Sequence, residues 1–173
     1  MTLEELTALE NEWLAKQPWH GYAEQRDELY KRIGMYEAWQ GIFREYVTLA
    51  REGNLEALKR AMFLCWYNVS EPGWLTGLMI LDSELIGEVY GLVDDLACNG
   101  RLDAEFTWML PYYYLIADFY LRPEFGAVVT ASRQNRDLWR QACLESSFDG
   151  RGQLGEYWAS IQANLKNRRD TQR

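Results

Sequence analysis

Two stretches decide how this chain folds: LAREGNLEA, Leu49–Ala57, and LACNGRLDA, Leu96–Ala104. They superpose at an offset of 47 residues, with identities at Leu49/Leu96, Ala50/Ala97, Gly53/Gly100, Leu55/Leu102 and Ala57/Ala104. In each, an apolar helical pattern runs into a glycine-containing turn, and a second helical pattern follows. The correspondence continues downstream through Met62/Met109, Tyr67/Tyr114, Val69/Ile116 and Glu71/Asp118. No segment shows the sustained apolar–polar alternation, rich in β-branched residues, that a sheet requires. The chain therefore reads as all-α.

Helix, turn and helix at a period near 47 resembles the two-helix units of HEAT and armadillo repeats. Two copies support either HEAT-like hairpin repeats or a bundle of about six or seven helices. Local signals place the elements. Thr2 and Glu5 form a capping box for an N-terminal helix within residues 1–20. Residues 22–71, 83–121 and 124–169 read as helical hairpins, with Gly34 and Gly41 as points where the first could break. Asn54 and either Asp82 or Ser83 are N-cap candidates. A single all-helical domain over residues 1–173 is the expectation.

Charge is unevenly spread. The formal net charge is −8, and residues 61–121 hold only Arg101 against nine acids, while residues 122–173 carry nine Lys/Arg against six Asp/Glu. An acidic middle repels nucleic-acid phosphates and steers a basic protein toward itself. The chain also carries eight Trp and eleven Tyr, which give contact area at low ordering cost in cores and interfaces alike. The acidic start MTLEELTALENEW is unlike an export signal, and the apolar run Phe106–Ala117 is too short to cross a bilayer. Three widely spaced cysteines, Cys65, Cys98 and Cys143, read as reduced, buried thiols in a cytoplasmic protein.

The densest aromatic stretch is WMLPYYYLIADFY, Trp108–Tyr120, read as the body of a helix from about Leu102 to Leu121. Two of its faces are apolar, which is the pattern of a helix packed between neighbours. A third, narrower face holds Tyr114 and Asp118, with Arg122 one turn on as an ion-pair partner for that acid. The earlier copy sets Tyr67 and Glu71 at the same positions. If the copies stack, Tyr67, Glu71, Tyr114 and Asp118 line one surface suited to a basic partner, with Trp74 beside them and Asp94-Asp95 adding charge.

Little else carries chemistry. The lone His20 sits in a Pro-Trp-His-Gly turn, and the cysteines lack zinc-ligand spacing. No phosphate loop, dinucleotide fingerprint or EF-hand loop is present. No cofactor, metal or membrane partner is expected. Size, acidity and helical class together are similar to those of the helical immunity proteins that neutralise bacterial toxins. The resemblance implies a non-catalytic inhibitor docking a basic partner. A peptide-binding adaptor and an enzyme using Glu71 and Asp118 as acid and base are the alternatives.

Overall fold

A computed structural model describes residues 1–18, 21–79, 81–120 and 122–171, with side chains up to residue 168. His20 lies outside the described residues. Among them there are ten α-helices and no strand. They are α1 (Leu3–Leu14), α2 (Ala23–Ile33), α3 (Met35–Arg51), α4 (Leu55–Ser70), α5 (Gly73–Thr76), α6 (Ser83–Cys98), α7 (Ala104–Ile116), α8 (Gly126–Arg133), α9 (Trp139–Glu145) and α10 (Gly152–Thr171). The chain is a helical bundle. Its count exceeds six or seven because the short α5 stands between α4 and α6 and two long patterns are interrupted. Gly34, at φ 73°, ends α2 and opens α3, and residues 134–138 separate α8 from α9.

The start signals act as their chemistry requires. Glu5 N–H donates to Thr2 Oγ1 at 3.2 Å and Thr2 N–H to Glu5 Oε2 at 2.8 Å, completing the capping box of α1. Asn54, Asp82 and Asp103 cap α4, α6 and α7 through their side chains. The two matched turns are hydrogen-bonded alike. Gly53 N–H reaches Ala50 O and Asn54 N–H reaches Leu49 O, while Gly100 reaches Ala97 and Arg101 reaches Leu96. Both glycines have positive φ, 90° and 61°, as this helix-ending motif demands.

Helices α4 and α7 run side by side in the same direction. Near their starts, Lys59 Nζ donates to Glu105 Oε2 at 2.6 Å, and further along the rings of Trp66 and Tyr113 stack at 4.6 Å. Trp66 and Tyr113 are equivalent residues in the repeat, and they meet face to face. Around them Trp158 of α10 packs at 4.6 Å from Tyr112 and 4.7 Å from Trp108, and Tyr112 meets Trp139 of α9 at 4.8 Å. Most of the Trp108–Tyr120 stretch is thus core, as two-sided apolarity implies. Its helix is shorter than expected. It ends at Ile116, and Asp118–Tyr120 form a 3-10 turn. Cys65 and Cys143 are buried, whereas Cys98 is exposed, on the solvent side of the last turn of α6.

A chain of charges runs where α4 and α7 begin, with Glu10, Lys59 and Arg60 buried and Glu56, Asp103, Glu105 and Arg151 half-buried. Glu10 of α1, only 1% exposed, accepts from Tyr46 Oη at 2.5 Å and from Gln153 N–H at 3.0 Å. Arg60 donates to Tyr46 Oη at 3.1 Å, Thr7 Oγ1 at 2.7 Å and Glu56 Oε1 at 2.8 Å. Arg151 grips Glu56 with bonds of 2.8 and 2.6 Å and also binds Glu105, which Lys59 joins to Asp103. Burial opposes ionisation of Glu105, but the bonds from Arg151 and Lys59 outweigh it and hold its carboxyl below the ordinary range. Burial of Glu10 outweighs its hydrogen bonds and pushes its carboxyl up.

Two outcomes follow for this end. Gly152 has φ +56°, and a Cβ there would fall 1.7 Å from Glu10 Oε2. Gly152→Ala is expected to cost about 2–4 kcal/mol in urea unfolding, against about 1 kcal/mol for Gly150→Ala, whose Cβ would meet open space. Folded Glu10 holds its proton more tightly than the unfolded chain does. Its contribution is therefore complete below the ordinary value of 4.5 and is lost as pH rises through the folded value. Urea stability should fall with pH between 4.5 and that folded value, and Glu10→Gln should flatten the decline.

Candidate functional site

The opposite end of the bundle, where α4 and α7 finish, is built differently. Seven large apolar side chains are exposed there: Val69, Trp74, Leu75, Met79, Leu115, Ile116 and Phe119. They lie at the end of α4, in α5 and the loop after it, and at the end of α7 with its 3-10 turn. Phe119 is 70% exposed. Isolated exposed apolar residues are ordinary, and what distinguishes these is their concentration at one end.

Within this end lies a groove of about 660 Å³, bounded by α2, the starts of α3 and α6, the end of α4, and α5. Short tethers hold α5 in place. Arg26 Nη2 donates to Leu75 O at 3.0 Å and Gln17 Nε2 to Thr76 O at 2.7 Å. They leave Trp74 38% exposed on the groove wall, with Leu78, Met79, Leu81 and Ile86 completing the apolar part. Glu24, Asp27, Tyr36, Asn68 and Ser83 supply the polar part. Asp27 accepts from Lys31 Nζ and from Tyr36 Oη, each at 2.6 Å, and these bonds lower its pKa. Burial and the Asp27 carboxylate together raise that of Tyr36. Glu24 is exposed, and among the described residues no ion pair neutralises it. The groove is apolar, and its rim carries exposed Glu24, the Asp27–Lys31 ion pair and Arg26, which lies 6.0 Å from the ring centre of Trp74.

Tyr67, Glu71 and Trp74 share this end. Tyr67 stacks on Phe63 at 4.9 Å and meets Tyr157 at 5.6 Å. Burial first, then the nearby Glu71 charge, raise its hydroxyl to about 12. The same carboxylate acts on Tyr112 and Tyr157, whose hydroxyls lie 2.6 Å apart. Glu71 therefore stands beside a cluster of three tyrosines.

Tyr114 and Asp118 lie elsewhere on the same end. Because Trp66 and Tyr113 face each other, the residues that follow them turn to different sides. Tyr67 faces α10, and Tyr114 faces the guanidinium groups of Arg133 and Arg136, 5.8 and 4.6 Å from its ring centre. Stacked repeats would have aligned Tyr67 with Tyr114, but helices packed face to face do not. Asp118 is exposed in the 3-10 turn and, among the described residues, has no ion pair. The expected Arg122 partner instead lies over Tyr90, 5.9 Å from its ring centre.

Asp94 and Asp95 belong to the last part of α6, at the far end from the groove. Asp94 Oδ1 accepts from Val128 N–H at 2.9 Å and so caps α8, whose N-cap residue Phe125 offers no side-chain bond. Asp95 is exposed. Among the described residues no group of three or more His, Cys, Asp or Glu is placed to hold a metal ion, and no helix is long and apolar enough to cross a membrane. The groove residues Glu24, Asp27 and Met79 carry no functional signal in the sequence, and Tyr36 reads there only as part of an apolar helix face. Compared with known proteins, the chain matches no family model, no curated protein and no solved structure.

The roles of the paired acids differ measurably. Asp94→Ala should lower stability in urea by about 1 kcal/mol through loss of the α8 cap. Asp95→Ala should change it by less than about 0.5 kcal/mol.

Proposed function

We propose that this protein is a non-catalytic binding module that docks a basic protein partner through the groove end of the bundle, in the manner of an immunity or inhibitor protein. The observation that carries the reading is the groove itself. Its walls are exposed Trp74 and Met79 beside buried Leu78 and Leu81, and its rim bears Glu24 and Asp27. An aromatic anchor in an apolar pocket with charge at the rim is the arrangement that concentrates binding energy at the centre and leaves steering to the edge. A lysine or arginine stem would lie along the apolar wall with its head at the rim. Glu71, beside the tyrosine cluster, extends the anionic side.

The matched turns and the co-directed α4 and α7 support a finer reading of the fold as two HEAT-like hairpins, packed face to face rather than in a translated file. Three unpaired cysteines support a cytoplasmic setting.

The test compares the wild-type protein with the double variant Trp74→Ala, Met79→Lys as immobilised bait. The wild type should retain one basic protein at low salt and release it as salt rises. The variant should retain at least about tenfold less, with an unchanged circular dichroism spectrum. Equal retention by both baits would overturn the groove as the docking site.

A further inference from the structure

Charge alone does not define what the groove holds. Of its lining carboxylates, Asp27 is paired with Lys31, and only that of Glu24 is uncommitted among the described residues. Arg26, beside Trp74, donates to Tyr30 Oη and to Leu75 O at 3.0 Å each. The neutral polar groups are freer. Asn68, half-buried near the end of α4, and Ser83, the exposed first residue of α6, both line the groove. Neither side chain has a hydrogen bond among the described residues. Each can donate and accept at once, the amide through two N–H groups and a carbonyl oxygen, the hydroxyl through one O–H and two lone pairs. Tyr36 Oη donates to Asp27 at 2.6 Å and keeps its capacity to accept.

Groups that both donate and accept suit peptide groups that are not already paired. A helix satisfies its interior N–H and C=O groups within itself, and a strand inside a sheet gives them to its neighbours. An extended segment outside any sheet keeps one donor and one acceptor per residue, and these need partners when they leave water. In an extended chain the N–H and C=O of one residue point the same way, as they do when two strands exchange a pair of bonds. The two ends of an asparagine amide match that pair. Side chains of such a segment alternate between two faces. One can therefore lie against Trp74 and Met79 while the next turns away from that wall.

We propose, on the reading of the groove as a docking site, that it takes an extended peptide segment of the partner, read through its backbone by Asn68. The side-chain amide of Asn68 accepts from the N–H of one residue of the segment and donates to the C=O of the same residue. Ser83, from a second helix, serves another peptide group. An apolar side chain of the segment packs on Trp74 and Met79, and a single lysine or arginine meets Glu24.

The probes are labelled hexapeptides, N-acetylated and C-amidated, each holding one lysine or arginine among varied apolar residues. Fluorescence polarisation against the full chain should find binders among them. The tightest is then remade with a methyl group on one backbone nitrogen at a time. Methylation at one position should cost at least about tenfold in affinity. Asn68→Leu should cost as much with the unmethylated peptide, and should be nearly indifferent to the methyl at that same position, because the bond is already gone. Urea unfolding should find Asn68→Leu no less stable than the wild type, since the amide gives up no bond within the chain. Absence of binding up to about 1 mM, equal affinities for wild type and Asn68→Leu, or methylation tolerated at every position would overturn the proposal. So would methyl and Asn68→Leu costs that simply add. Partner capture separates the two ideas. A basic protein captured equally by wild type and Asn68→Leu would defeat the extended segment and leave the docking function standing. Peptide binding that depends on Asn68, with no protein captured, would do the reverse.

Discussion

The charge network where α4 and α7 begin, part buried and part half-buried, is the constraint on which the rest of the architecture depends. Seven ionisable groups of one chain of contacts, Glu10, Glu56, Lys59, Arg60, Asp103, Glu105 and Arg151, come from α1, α4, α7 and the turn before α10. Desolvating such groups is expensive, and no single pair recovers the cost well. What the network provides is definition of place. Arg151 can satisfy two carboxylates together only if the start of α10 lies across the starts of both α4 and α7, and Gln153 N–H meets Glu10 only if α1 lies there too. The first and last helices are thereby locked onto the two matched hairpins. The direction of the Glu10 shift fits this account. Burial outweighs the bonds that Glu10 receives, whereas Glu56, Asp103 and Glu105 are paired with the cations Lys59, Arg60 and Arg151.

Beyond the charges, cohesion passes to aromatic rings. Trp66, Tyr112, Tyr113, Tyr157 and Trp158 interlock across α4, α7 and α10 at centroid separations of 4.6 to 6.3 Å. Offset and edge-on rings pack densely at low entropy cost, so a few such residues tie three helices together. The bundle is thus pinned by charge at one end and filled by rings through its middle. Its other end needs no apolar closure from the chain itself. That division of labour leaves Trp74, Met79 and Phe119 at the surface.

Much of the local structure was legible because its causes are local. The Thr2–Glu5 box, the Asn54 and Asp82 caps and the paired glycine turns all involve groups within a few residues of each other. The lengths that failed did so where tertiary contacts decide. The helix expected to reach Leu121 stops at Ile116, after which Tyr120 is held by a bond from Tyr90 Oη to its carbonyl. That bond joins residues 30 apart, and no periodic pattern announces it. The 124–169 pattern gave no sign that residues 134–138 would interrupt it, where Asn135 takes a positive φ of 50°.

The site was legible in part for the same reason. Trp74 was expected beside Tyr67 and Glu71, and it walls the groove. The partners that make the groove come from α2, α3 and α6, and their convergence depends on how α5 docks. The repeat misled in one respect. Equivalence in sequence implies a common surface only when the units are related by translation. The stacked rings of Trp66 and Tyr113 show that the two helices turn equivalent faces toward each other. Tyr67 and Tyr114 must then diverge, one toward α10 and the other toward the arginines of α8 and the loop after it. The divergence sets Tyr67 beside Glu71 and Tyr157 on one side of this end, and Tyr114 under the Arg133 and Arg136 guanidinium groups on the other. A repeated sequence motif, packed face to face, becomes two different surfaces.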